Sequence, residues 1–219
     1  MTRPADFVLL IVLAIDLYLV VASRLTGCVR ASAAQGIALA ALPVAIWGVG
    51  LDADGMHILV LATGTVLVKG LLIPWLLLRA IRQVSVRREV DPFVSQHGSL
   101  LIAAGLVALS FWLATELELP IPAPTKLLVP VAFSTVLIGF LVISSRRKAI
   151  TQVVGYLVLE NGIFVFGLLL VREMPFTVEL GILLDLLVGV FVMGIAIHHI
   201  HREFDHIDTE LLSSLKDSP

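Results

Sequence analysis

Seven apolar stretches dominate this chain, at about residues 5–23, 31–50, 57–79, 97–115, 127–144, 150–171 and 178–199. A helix needs about 20 apolar residues to cross a hydrocarbon core of roughly 30 Å. Hydrocarbon offers no water to the backbone, so a stretch that enters it must satisfy its own amides, and a helix does so. The expectation is an all-α polytopic membrane protein with about seven transmembrane helices. Composition agrees: 58% of residues are hydrophobic and 15% are charged, against about a quarter charged in a soluble globule. Too little polar surface remains to coat a water-facing body, and disorder is excluded for the same reason. Formal net charge is −2, so nothing points to nucleic acid. The one cysteine, Cys28, permits no internal disulfide and no CxxC metal or redox motif. Asp16, in the middle of the first run, argues against a cleaved signal peptide. The connections are too short to hold a second, soluble domain.

Positive charge sets the orientation. Arg24, Arg30, Arg79, Arg82, Arg87, Arg88, Arg146, Arg147, Lys148, Arg202 and Lys216 fall after spans one, three and five and in the tail. The opposite side holds Arg3, Lys126 and Arg172, together with Asp52, Asp54, Glu116 and Glu118. The positive-inside rule makes the first group cytoplasmic. The N-terminus is then expected outside and the C-terminus in the cytoplasm.

Four ionisable residues lie inside the spans: Asp16, Lys69, Glu160 and Asp185. Each would cost roughly 2.5–3.5 kcal/mol at the bilayer centre, about 10 kcal/mol together if charged and unpaired. A rise of about 1.5 Å per residue places all four near the midplane, so they could share one layer. Such groups mark ion paths by default. Lys69, Glu160 and Asp185 are read in that sense. Asp16 is read equally as an interhelical hydrogen bond or as a functional group. Around them, Gly181, Asp185 and Gly189 recur every four residues on the seventh span. Gln152, Tyr156 and Glu160 do so on the sixth, with Asn161 beside them, and are expected to form a polar stripe. Pro74 removes the donor for the carbonyl of Gly70, opening the third span one residue beyond Lys69. Pro43 and Pro130 are read as kinks. His198, His199, His201 and His206 crowd the end of the last span. They lack an i, i+4 histidine pair and any cysteine, and are read as dipole-complementing groups rather than a metal site. His57 and His97 are read as interfacial.

Gly155-Tyr156, Glu160-Asn161-Gly162, Asp185, the tail from Ile207-Asp208 through Leu215-Lys216, and Lys69-Gly70-Leu71-Leu72-Ile73-Pro74 together resemble hydrogenase-4 component E. That is a membrane subunit of formate-hydrogenlyase-type nickel–iron hydrogenase complexes, and the resemblance covers all seven spans. Spans five to seven also resemble the three-helix subunit K of bacterial complex I and its small counterpart in Mrp-type antiporters. In subunit K a glutamate on each of the last two helices contributes to a carboxylate path for protons. Asp185 matches the second, with a glycine four residues later; Glu160 lies about one turn beyond the first. The resemblance divides the chain into a four-helix membrane region, 1–126, a subunit K-like region, 127–201, and a cytoplasmic tail, 202–219.

The chain holds no nucleophile–base pair, no glycine-rich phosphate loop and no cluster ligands, so no catalytic residue and no bound cofactor are expected. The resemblance implies a complex in a prokaryotic plasma membrane. Nickel–iron and iron–sulfur centres would sit on other, peripheral hydrogenase-type subunits, with antiporter-like and complex I-like membrane subunits as neighbours. Glu160 and Asp185, with Lys69 and Asp16, would be ion-relay groups for protons or sodium. The alternatives are a subunit of an Mrp-like antiporter or complex I-like assembly, and a purely structural membrane subunit. A free-standing transporter would show paired broken helices, and only the third span is broken near a charge. A retinal receptor would carry its lysine on the last span, which has none.

Overall fold

The computed structural model describes residues 4–48, 53–83, 96–117, 123–146 and 149–169. The elements are α1 (Pro4–Val21), α2 (Leu25–Trp47), α3 (Ala53–Thr65), a π-helical segment (Val66–Leu72), α4 (Ile73–Gln83), α5 (Gln96–Glu116), α6 (Leu128–Ser145) and α7 (Ala149–Gly167). Every regular element among the described residues is helical. Six helices, counting the α3–π–α4 run once, are long and apolar enough to cross a membrane. The protein is thus an all-α polytopic membrane protein. The seventh span, with Asp185, and the terminal histidines and tail lie outside the described residues.

Two details differ from the sequence reading. Helix α2 begins at Leu25, after an extended Arg24, rather than near residue 31. Arg30 therefore stands on the helix, exposed; charge moves a residue toward water but does not end a helix. Pro130 is no kink, because it lies in the first turn of α6, where its missing N–H has no intrahelical partner to lose.

Helices α1, α2, α7 and α6 form a ring in that order, each packed on the next. Helix α5 covers α1 and α6, and the α3–π–α4 run covers α2. The ring has a seam pattern. Buried positions alternate by four and three along Ala5, Leu9, Val12, Asp16 and Leu19 of α1. They alternate by three and four along Leu25, Cys28, Ser32, Gln35, Leu39 and Leu42 of α2. The same spacing runs through Leu128, Val131, Thr135, Ile138, Val142 and Ser145 of α6, and through Thr151, Val154, Val158, Asn161, Val165 and Leu168 of α7. A repeat averaging 3.5 residues keeps one narrow face of each helix toward its partners.

Small residues set the closest approach. A methyl group on Gly139 of α6 would stand 2.5 Å from the backbone nitrogen of Leu159. One on Gly155 or Gly162 of α7 would stand 2.8 Å from Ile143 N or 2.6 Å from Val136 N. These backbones pack where no side chain fits, as in membrane helix pairs joined through small residues.

The apolar core is split in two. Leu19, Leu25, Val29, Ile73, Leu77, Val154 and Val158 cluster toward one end. Leu9, Val12, Leu39, Leu42, Leu61, Val131 and Val165 cluster toward the other. Between them, at mid-height on every ring helix, lie polar side chains. At the first end the buried Arg146 donates to the carbonyls of Val20, at 2.7 Å, and Ala22, at 3.2 Å. It closes the C-terminal end of α1, where cation and helix dipole complement each other.

Candidate functional site: a polar layer in the bundle

The third span explains how a lysine is held inside the bundle. Its buried positions are Leu61, Thr65, Lys69, Ile73, Leu77 and Ile81, spaced by four throughout. In a regular α-helix each such step gains about 40°, or about 200° over five steps. The face would wander to the far side. The wider π turn takes in an extra residue and sets the face back by about 100°, leaving a stripe of ordinary width. The cause is Pro74, which has no N–H to continue the α ladder. Pairing shifts so that Ile73 N–H donates to Val68 O. The opening anticipated at Gly70 is therefore spread over seven residues, with Lys69 at its centre. Gly36 lets α2 lie against this segment: a methyl there would meet the Lys69 carbonyl carbon at 2.8 Å and its oxygen at 2.9 Å.

From that position the Lys69 ammonium reaches α7. It lies 3.0 Å from Glu160 Oε1, both side chains about 4% exposed, and donates to Asn161 Oδ1 at 3.1 Å. The ring of Phe164 lies 5.0 Å from it. Asn161 Nδ2 donates to Gln35 Oε1 at 3.1 Å. Gln35 Nε2 donates to Asp16 Oδ1 at 2.7 Å, and Thr135 Oγ1 to Asp16 Oδ2 at 2.6 Å. Six side chains from α1, α2, the π-segment, α6 and α7 thus make one continuous chain of contacts. Glu160 Oε2 is buried and has no hydrogen-bond partner among the described residues.

Asp16, Lys69, Glu160 and Asn161 are brought together, as a shared layer requires. Gln152 and Tyr156 are not. Both are exposed, and Gln152 donates to the Arg146 carbonyl at 3.0 Å. A spacing of four drifts by about 40° per step, so Gln152 is already about 80° round the helix from Glu160. The stripe expected from Gln152, Tyr156 and Glu160 does not form. Two members of the layer escaped the sequence reading, Gln35 and Thr135. The signal was the three-four seam itself, since both occupy seam positions at the same height as Asp16 and Asn161. Among the described residues no group of three or more His, Cys, Asp or Glu is placed to hold a metal ion.

The chain is 36% identical over 194 residues to Uncharacterized protein Rv0085 of Mycobacterium tuberculosis, covering 88% of this chain and 87% of that protein. It is 29% identical over 160 residues to Hydrogenase-4 component E of Escherichia coli and of Shigella flexneri, covering 73% of this chain and 74% of each. The chain belongs to the hydrogenase-4 component E family. No family model matches it, and no solved structure does. Component E relatives thus share most of the described bundle's length.

Proposed function

We propose that this chain is a non-catalytic membrane subunit of a hydrogenase-type oxidoreductase complex, and that its polar layer takes part in moving ions across the membrane as electrons pass through the peripheral subunits. One observation carries the ion reading: a lysine and a glutamate in contact at 3.0 Å, mid-bundle, with the second glutamate oxygen unengaged among the described residues. A purely structural ion pair would be served by full satisfaction of both partners, since a half-satisfied buried network costs more than an apolar core. An exchangeable group needs an open position. Membership of a complex is supported by the name that the component E relatives carry. The charge asymmetry of the connections supports an external N-terminus in a prokaryotic plasma membrane. Metal centres would belong to the peripheral subunits, and Asp185 would extend the path.

The test is Glu160→Gln in membranes that contain the assembled complex. Electron transfer to artificial acceptors is expected to persist, with assembly intact. Ion movement driven by the physiological reaction in inverted vesicles is expected to collapse. Full coupling in the variant would leave Glu160 a structural group and sink the ion reading.

A further inference from the structure

The direction of the hydrogen bonds in the layer is fixed by its lysine. An ammonium only donates, so Asn161 must turn its oxygen to Lys69. Its Nδ2 then faces Gln35, which must present its own oxygen, and this leaves Gln35 Nε2 for Asp16. The observed contacts run in that order: Lys69 to Asn161, Asn161 to Gln35, Gln35 to Asp16. Two amides therefore stand aligned between a cation and an anion, each polarised by the next. Such a bridge transmits charge but not protons. An amide receives at oxygen and gives at nitrogen, and passing a proton through it would require an imidic acid.

Charge counting then assigns the protons. The ionisable groups of the layer among the described residues are Asp16, Lys69 and Glu160. With all three ionised the layer holds one surplus negative charge; with one carboxyl protonated it is neutral. Asp16 has no room for that proton, because its two oxygens accept from Gln35 and Thr135. Glu160 Oε2 accepts from no described residue. We propose that Glu160 carries an exchangeable proton on Oε2 while Asp16 stays ionised, and that Gln35 and Asn161 are positioning residues that hold Asp16 as the lysine's counter-charge across a bridge closed to protons. This deepens the ion-movement reading of the same site and rests on it for its role in the complex. Glu160 takes one proton at Oε2 on loading and releases that same proton on unloading, with no other bond changed. In the unloaded state Lys69 is balanced by Glu160 at 3.0 Å. In the loaded state Glu160 is neutral, and only the amide bridge to Asp16 keeps the buried ammonium from being stranded. A metal cation is disfavoured here, since the ammonium already occupies Oε1.

Infrared spectroscopy of the protein purified in its complex reads this without measuring transport. The wild type should show the carbonyl band of a protonated, water-shielded carboxylic acid. The band should vanish in Glu160→Gln. It should also vanish in Asp16→Asn, because Glu160 must then stay ionised to balance Lys69. Gln35→Met, which cuts the bridge at another residue, should give the same loss if Asp16→Asn fails to assemble. No acid band in the wild type would overturn the proposal. So would a band that survives Glu160→Gln and disappears in Asp16→Asn, or one that persists unchanged when the bridge is cut. Loss of the band in both bridge variants with ion coupling intact would sustain this assignment and defeat the transport reading. Coupling lost only in Glu160→Gln, with the band unmoved by bridge variants, would do the reverse.

Discussion

Replacing Lys69 should harm this protein far more than replacing its ion-pair partner. At 3.0 Å two unit charges attract by about 5–6 kcal/mol at an effective dielectric of 20, and much of that offsets desolvation. Removing one member of a buried pair costs about 3–5 kcal/mol where the other is stranded. Lys69→Met strands Asp16, whose remaining partners are neutral donors, and removes the donor to Asn161. The full range should apply. Glu160→Gln strands nothing. Its amide oxygen still accepts from Lys69, and the lysine keeps Asp16 through the bridge, so the loss is about 1 kcal/mol, that of one weakened hydrogen bond. Thermal unfolding of the purified protein in micelles is the assay. At about 2–4 °C per kcal/mol for a chain of this size, Lys69→Met should lower the midpoint by roughly 6–20 °C and Glu160→Gln by a few degrees. The double variant Lys69→Met, Asp16→Asn should be milder than Lys69→Met alone, since residues in one network couple. If Glu160→Gln destabilises as much as Lys69→Met, the pair stands alone and the bridge carries no charge compensation.

Gly36→Ala should destabilise by about 1–3 kcal/mol, because its methyl would meet Lys69 backbone at 2.8 Å. Gly64→Ala, with nothing within 4 Å, should be neutral or slightly stabilising; equal midpoints for the two would refute the packing argument. For orientation, a cysteine at position 54 should react with an impermeant thiol reagent in intact cells and one at position 87 should not, and reversed labelling would invert the assignment of sides.

Much of this protein is legible in its sequence because hydrophobic length is a local property. Each span announces itself by about twenty residues that water would reject, and the described helices fall where those runs lie. Lys69, Asp16 and Glu160 are conspicuous for the same reason, as charges inside apolar runs. Pro74 marks the break in the third span because one missing N–H is a fact of its chemistry. Contacts are not local. Whether Lys69 meets Glu160 or lipid depends on the azimuth of two helices about 90 residues apart in sequence, and a step of four misjudges azimuth by about 40° each time. That drift is why spacing alone misplaces Tyr156 and Gln152, and why a π turn is needed to keep Lys69 facing inward. Gln35 and Thr135 look ordinary in the sequence because an amide or hydroxyl in a membrane helix is cheap when it finds a partner. Only the packing of α1 against α2 and α6, with the close approach at Gly36, shows that their partner is Asp16 and that the layer is a single connected chain.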